Sequence, residues 1–517
     1  MSLEIKLMEP PALKLVCTTE DGESFALPTV RTHYPKIQLQ VLSSALQELD
    51  NVNVGIIDMK TLGNKEVHYK TTRHDGLSFD CYRVGADFED IAEAVEGSDA
   101  IGVTSPFTQN AQIVTDLAKF IRRKGPKTKL VVGGYDTNTR DRQKYYLQNG
   151  FDYVVPRNGE IQFPELLRKI FGVQQNRGNP EQSVVLSDDK RQARRLILPL
   201  PDLDSVNISS YIEAEDGLLP QGASLPIGYF VSSRGCDRKC DFCTIWVNNK
   251  GNYELMEIED VERLLRHYKE HGVTTLLHAE SNLLTRLRYG AEGRKNLIDT
   301  MSLMREYGFA WEFFDGIEFG RLVKDDGRTP DGELIDLLFK PEMKDGNLVG
   351  GYRAYIPLEA GYEERRKTFD KLKPYDVQQN IIRRIVETGV RQISSGVILG
   401  FPEDTKETLE ESRKRYYEMQ DLVSEASGEK AESLFVFYIH QLFSGSVDFQ
   451  RYKNMLTVDV NENPELYQLY TACKPTKEFS PTEVTLLRRQ LDWEFNGLAV
   501  NQYSERTGRA PTLHPSI

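Results

Sequence analysis

The chain is short of several things, and each shortage excludes a class of protein. No uninterrupted apolar run in its 517 residues approaches the ~20 that a membrane-spanning helix needs. Positive charge is in deficit: 65 Lys and Arg stand against 78 Asp and Glu, for a net charge of −13. That balance argues against a general nucleic-acid or acidic-membrane binder, since affinity for phosphate backbones comes from clustered Lys and Arg. Six cysteines in this length do not make a disulfide scaffold. The 38 Gly and 23 Pro are scattered, so a fibrous repeat is excluded, and no solenoid period recurs. The opening MSLEIKLMEPPALK has acids and lysines where a secretory signal needs an apolar core, so a cytoplasmic location is expected.

What is present is an ordinary globular mixture, 39% hydrophobic and 28% charged, long enough for two to four domains. Residues 1–171 alternate short apolar runs with amphipathic segments. Strands are expected at Val52–Asp58, Asp99–Thr104, Lys129–Gly133 and Phe151–Val155, with helices at Ile37–Leu49, Phe88–Val95, Ala111–Arg123 and Asp141–Gln148. This alternation predicts a parallel, doubly wound sheet, which binds ligands beyond the carboxyl ends of its strands. Residues 172–225 read as a polar, Pro-rich linker, in which Lys190 to Arg195 form a solvated face. From 226 to 444 the alternation returns, with strands expected at Gly228–Ser232, Thr274–His278, Ala310–Phe314, Gly351–Pro357, Gln392–Leu399 and Leu434–His440. Six strand–helix units predict a complete or partial (β/α)6 barrel with its site at the carboxyl strand ends. Residues 445–517 read as a mostly helical, polar tail.

Cys236, Cys240 and Cys243 fall within eight residues, spaced C-x3-C-x2-C, at the end of the first expected barrel strand. One loop can thus offer three thiolates to one metal site. Structural zinc wants a fourth ligand, and the nearest histidine, His267, lies on another element. An iron–sulfur cubane can leave one iron free of cysteine, open to a cofactor or substrate. A zinc knuckle borrowing a distant His or Asp, or three ordinary thiols, are the alternatives. Cys17, Cys81 and Cys473 are isolated and read as small hydrophobes. Trp246, Trp311 and Trp493 read as core aromatics, and His278 and His440 as buried, hydrogen-bonded strand-end residues.

C-x3-C-x-aromatic-C, with Phe242 as the aromatic, resembles the signature of the radical S-adenosylmethionine enzymes. Downstream, Gly396-Val397-Ile398-Leu399-Gly400-Phe401-Pro402-Glu403 resembles the family's adenine-flanking segment. Glu359-Ala360-Gly361 resembles its E-x-G strand end, which reaches the ribose or amino-acid part. His278-Ala279-Glu280-Ser281-Asn282 stands where the family has Gly-Gly-Glu, without the two glycines. The resemblance implies that Phe242, Glu280, Glu359, Ile398 and Gly400 contact S-adenosylmethionine, with Glu280 on its amine. The N-terminal part, with Pro10-Pro11, Thr104-Ser105, Gly133-Gly134 and Gly159-Glu160, resembles the cobalamin-binding domain that precedes the radical domain in one large subgroup. Thr104, Ser105, Gly133, Gly134 and Glu160 are the implied cobalamin contacts. No D-x-H-x-x-G segment is present to ligate cobalt from below.

Taken together, the resemblance implies a cobalamin-dependent radical enzyme with a 4Fe–4S cluster, S-adenosylmethionine and cobalamin. Its expected reaction is C-methylation of a natural-product or peptide intermediate, with a flavodoxin or ferredoxin as electron donor. A rearrangement or ring closure, with or without cobalamin, and a metal-stabilised binding protein are the alternatives. No catalytic residue for the methylation step is assigned.

Overall fold

The computed structural model describes residues 2–27, 36–174, 184–188, 191–206, 223, 226–249, 251–313, 315–369 and 371–507. Its N-terminal part is built on five parallel strands in the order Val52–Asp58, Leu3–Glu9, Ala100–Thr104, Lys129–Gly133, Tyr153–Val155. These strands are nearly continuous runs of Val, Ile and Leu because both faces are covered. On one face Ile37–Gln47 and Gly159–Phe171 pack over Ile5, Leu7 and Val131; on the other, Ala111–Lys124 packs over Met8, Ile101 and Val132. The expected doubly wound sheet is therefore present.

A second N-terminal sheet has no counterpart in the sequence reading. Ser24–Ala26, Ala12–Thr18, Leu77–Gly85 and Lys65–His74 pair antiparallel, with Asp75 and Gly76 at the tip of the hairpin. Both tip residues have positive φ, +47° and +82°, the backbone of a tight two-residue turn. Asp-Gly between two alternating runs was the available signal.

The larger part carries six parallel strands in chain order: Ile227–Phe230, Thr275–His278, Ala310–Phe313, Asn347–Glu359, Gln392–Leu399 and Glu432–Ile439. All six expected barrel strands are present, and the sheet is an open arc whose first and last strands are not paired. Trp311 and Phe313 point outward as alternation requires. The Trp311 indole donates to the Leu338 carbonyl at 2.9 Å, and Phe313 meets Phe339.

An open arc leaves a free edge, and the tail helix Pro481–Thr507 covers it. Asn496 pairs with the Phe435 backbone in both senses, accepting its N–H at 2.8 Å and donating to its carbonyl at 2.7 Å. Arg488 donates to the Phe437 carbonyl at 3.1 Å. Side chains thus stand in for a seventh strand and block edge-to-edge association.

Three expectations need correction. Arg191–Arg195 is a strand rather than linker: Ala193–Arg195 pair parallel to Tyr253–Leu255 with Ala193 fully buried, while Gln192 and Arg194 keep the exposed face; Lys190 lies outside the described residues. The tail is mostly helical as expected, over Val447–Tyr452 and Pro481–Thr507, although one stretch between them is neither helical nor polar throughout. From Leu456 to Ser480 it carries only a short helical turn, yet Val458, Leu466, Tyr467 and Cys473 are buried against Leu13, Leu15, Cys17 and Cys81 of the antiparallel sheet. Trp493 is 58% exposed, because the tail helix uses its other face for the core.

His278 is buried, but neither ring nitrogen has a hydrogen-bond partner; its ring lies between Phe230 and Phe313 at 5.0 and 4.8 Å. Burial pulls its pKa down to about 4. Because the folded value lies below the unfolded one, the neutral ring favours the fold above pH ~6.5, and stability drains away as pH falls toward 4. The cost at pH 4 is on the order of 3 kcal/mol. His278→Leu, of similar volume, should therefore melt above the native protein at pH 5 and close to it at pH 7.5. Thermal melts at both values check this; equal melting at pH 5 would count against it.

Candidate functional site

The strand Ile227–Phe230 delivers the chain into a loop at its carboxyl end. There Gly235 turns the backbone at φ +97°, and a Cβ at this position would lie 2.2 Å from the Asn252 carbonyl oxygen. Glycine is obligatory for so close an approach. The loop then presents Cys236, Cys240 and Cys243, all half-buried and all free. Cys243 N–H closes a turn on the Cys240 carbonyl at 3.0 Å. The Arg238 and Asn282 N–H groups approach the Cys236 sulfur at 3.4 Å each, and the Ile245 N–H approaches the Cys243 sulfur at 3.5 Å. Donors aimed at sulfur suit a thiolate carrying negative charge. With no metal, burial pushes the Cys240 thiol up to about 12 against the pull of Lys371, and burial likewise raises Cys243. Binding of a metal by such thiols would release their protons to solvent.

Among the described residues no three His, Cys, Asp or Glu side chains gather around a single ion. Three thiols on one loop, each within electrostatic reach of the others and two met by N–H donors, fit the cysteine-bound face of a polynuclear cluster.

A collar of buried charge fixes this loop. Asp237 receives Arg321 at 2.9 Å on both oxygens, Thr285 at 3.1 Å, and Arg288. Arg238 donates to Glu318 at 2.7 Å, and Arg321 and Asn282 donate to the same carboxylate at 2.8 and 2.6 Å. Burial alone would raise the Glu318 carboxyl, but Arg321 and Arg238 together hold it below the usual range.

The S-adenosylmethionine candidates separate into two groups. Phe242 and Ile398 come together with Phe369 and Phe401, and the Phe242 and Phe369 rings meet edge-on at 5.7 Å. Gly400 has φ +77°, its N–H donates to Asp404 at 2.8 Å, and its carbonyl accepts from Lys474. Its role is to turn the chain. Glu359 ends the long strand Asn347–Glu359 at φ +66°, a strained backbone for a residue other than glycine, and pairs with Lys371. Both act on the Cys240 thiol, Lys371 lowering it and Glu359 raising it. Strain of this kind persists where surrounding structure enforces it, and it collects at functional sites.

Glu280 stands apart. One oxygen accepts from Ser232 N–H at 2.7 Å and Ser232 Oγ at 2.6 Å; the other accepts from Ser233 Oγ at 2.7 Å and Arg286 at 3.3 Å. Four donors occupy this buried carboxylate, so it braces the strand end rather than standing open. Two residues on, Asn282 gives its amide N–H groups to Glu318 and Cys236, which leaves its buried Oδ1 without a donor. Sequence reading missed Asn282; its distance from the cysteines in the chain hid it.

On the N-terminal side, Thr104 and Gly133 are register partners at adjacent strand ends. Gly134 follows at φ +109°, and a Cβ there would lie 2.5 Å from the Ser105 carbonyl oxygen. The Ser105 hydroxyl is turned inward, 2.6 Å from Tyr146 Oη, so this residue offers only backbone. These four residues make a side-chain-poor shelf, which suits a broad flat cofactor. Glu160 leaves the shelf and pairs with Arg234 at 2.6 Å, joining the N-terminal sheet to the cysteine loop. Tyr135, missed in the sequence, follows the two glycines. It is 56% exposed, and Ser281, Cys243, Arg234 and Asp315 of the other half all act on its phenol. A large aromatic directly after Gly-Gly was the signal.

A B12 binding domain model matches residues 24–167. The chain is 25% identical over 186 residues to tRNA-2-methylthio-N(6)-dimethylallyladenosine synthase of Bacillus mycoides (strain KBAB4), covering 36% of this chain and 34% of that one. It is 22% identical over 227 residues to cytidylyl-2-hydroxyethylphosphonate methyltransferase of Streptomyces wedmorensis, covering 42% and 38%. The chain thus spans little more than a third of the length of these curated relatives. Among solved structures it resembles the cobalamin-dependent S-adenosylmethionine radical enzyme OxsB with aqua-cobalamin and S-adenosylmethionine bound, at a TM-score of 0.61 and 14% identity over 97% of this chain and 68% of that one. It also resembles the radical S-adenosylmethionine methyltransferase TsrM from Kitasatospora setae with cobalamin and a [4Fe-4S] cluster bound, at a TM-score of 0.56 and 15% identity over 100% and 90%. Residues 24–167 accordingly resemble a B12 binding domain, and the chain shares the overall fold of OxsB and TsrM.

Proposed function

We propose that the protein is a cobalamin-dependent radical S-adenosylmethionine methyltransferase that alkylates carbon in a small-molecule or peptide intermediate. The observation that carries this reading is the juxtaposition of two strand-end sites. The cysteine loop and the side-chain-poor shelf face one another, joined by Arg234–Glu160 and spanned by Tyr135. OxsB and TsrM, which share the fold, carry cobalamin, and the TsrM structure a [4Fe-4S] cluster.

Cys236, Cys240 and Cys243 would hold a 4Fe–4S cluster by three of its irons. The apolar cluster of Phe242, Ile398, Phe369 and Phe401 would pack against the adenine of S-adenosylmethionine, with Glu359 and Lys371 toward its polar end. Asn282 Oδ1, buried and lacking a donor, suits the amine that Glu280 is too occupied to accept. The shelf of Thr104, Ser105, Gly133 and Gly134 would seat cobalamin by backbone contact. When bound, these groups would supply single-electron reduction, hydrogen abstraction from an unactivated carbon and a transferable methyl group. The protein's own part is to hold them in register and keep water out. An electron donor such as a flavodoxin or ferredoxin would serve the cluster.

Two measurements test the reading. Anaerobically reconstituted protein should contain about 4 iron and 4 sulfide per chain. Alanine at Cys236, Cys240 or Cys243 should lose the brown absorbance and the deoxyadenosine formed from S-adenosylmethionine with dithionite, whereas alanine at Cys17, Cys81 or Cys473 should keep both. A triad variant with full iron would overturn the cluster assignment.

The second concerns the shelf. Native protein should retain about one hydroxocobalamin per chain through gel filtration. Gly134→Val, which drives a side chain into Ser105, should weaken that retention at least ~10-fold, about 1.4 kcal/mol, with the iron content unchanged. Undiminished retention in a folded variant would remove the shelf from the site.

A further inference from the structure

Asp315 follows the third barrel strand in an Asp-Gly turn at its carboxyl end. Gly316 has φ +83°, and a Cβ there would lie 2.6 Å from the Tyr355 ring, so the turn sits directly on that phenol. Asp315 keeps accessible surface, yet burial is the leading cause that raises its carboxyl to about 6. Groups from both halves of the molecule act on it or feel it: Lys36 and Tyr135 from the N-terminal side, Glu280 and Tyr438 from the barrel side. Asp315 is thus accessible at the carboxyl end of the barrel strands, where groups from both halves act on it.

Among the described residues, no hydrogen bond contributes to its state. The other charged groups around this region are committed elsewhere. Arg234 is paired with Glu160, and Lys371 with Glu359. Lys36 is drawn first to Glu9, then to Asp58, and only then to Asp315. Its charge acts on the phenols of Tyr135 and Tyr438, and the Tyr438 hydroxyl lies 3.3 Å from that of Tyr355, the ring on which Gly316 sits. A carboxylate amid tyrosine rings is the chemistry that recognises a cation, through the charge and through the negative ring faces.

We propose that Asp315, with the phenols of Tyr135, Tyr355 and Tyr438 in its vicinity, is a substrate-anchoring site for a positively charged nitrogen, so that the substrate of this enzyme is an amine or guanidine. The inference rests on the reading of this region as the active site and adds the chemical class of what enters it. An amine beside this carboxylate would supply a hydrogen-bonded ion pair that no described residue is seen to make with Asp315. The same contact fixes the rest of the substrate at one end, and orientation of that kind decides which carbon faces the methyl donor.

The experiment uses the full chain reconstituted with iron, sulfide and hydroxocobalamin. Benzylamine and benzyl alcohol, alike in shape and differing in charge, are titrated at pH 7.5 by ligand-observed NMR. Benzylamine is expected to bind at least ~10-fold more tightly, about 1.4 kcal/mol. In Asp315→Asn the two should agree within about twofold, with iron and corrinoid contents at native levels; Asp315→Glu should restore part of the preference. Equal affinities in the native protein, or a preference that survives in Asp315→Asn, would overturn the proposal. Lack of cluster or corrinoid in the native holoprotein would instead strike the proposed function, and the amine preference is read separately on the same sample.

Discussion

The organisation of the molecule depends on holding five charges out of water around a single loop. Asp237 and Glu318 are almost wholly buried, and Arg238, Arg288 and Arg321 close on them. Removing charges from water is expensive, and their mutual attraction repays it only where every lone pair finds a donor. Asn282 and Thr285 supply the remaining donors here. The consequence is rigidity: removing any one partner would strand a buried charge, at a cost of about 3–5 kcal/mol. The loop that must present three sulfurs at a fixed spacing is thus fixed by carboxylates and guanidinium groups rather than by regular structure. Arg234 carries the same strategy across to the N-terminal half through Glu160.

Much of this arrangement was legible in the sequence, and the division between what was and was not follows physical lines. The six barrel strands and four of the five strands of the N-terminal sheet announced themselves because strands buried on both faces are short, largely apolar runs; Leu3–Glu9, broken by Glu4 and Lys6, was not among the expected strands. The cysteine triad was legible because its spacing is local. The antiparallel sheet of Ala12–Thr18, Ser24–Ala26, Lys65–His74 and Leu77–Gly85 was not, since Lys65–His74 is polar on its outer face and reads as loop. The buried stretch from Leu456 to Ser480 was missed for a different reason. Its apolar residues answer to no period, because the antiparallel sheet and not a helix axis decides which of them is covered.

The site residues divide in the same way. Glu280 stood at the right place in the chain, yet Ser232, Ser233 and Arg286 claim its oxygens, and no local pattern reports that Arg286 will be buried beneath it. Ser105 had the right residue type, but Tyr146, 41 residues away, takes its hydroxyl. Asn282 and Tyr135 gain their positions only from tertiary packing. Side-chain chemistry can be read from the chain; whether a polar atom is already satisfied cannot.

The tail explains how two halves with separate cores keep their strand ends in register. Lys70 and Tyr69 of the antiparallel sheet bind Glu465, a carboxylate with no exposure, and Thr72 binds Asn463 at 2.8 Å. Arg142 beneath the shelf reaches Asn461 at 3.0 Å. The same tail sends Lys474 to the Gly400 carbonyl and then runs its last helix along the free edge of the barrel arc. One segment therefore touches the shelf's foundation, the adenine-side turn and the unpaired strand. An open arc needs something along its edge in any case. Drawing that cover from a segment already buried in the other half makes the closing of the barrel and the alignment of the two sites a single packing event.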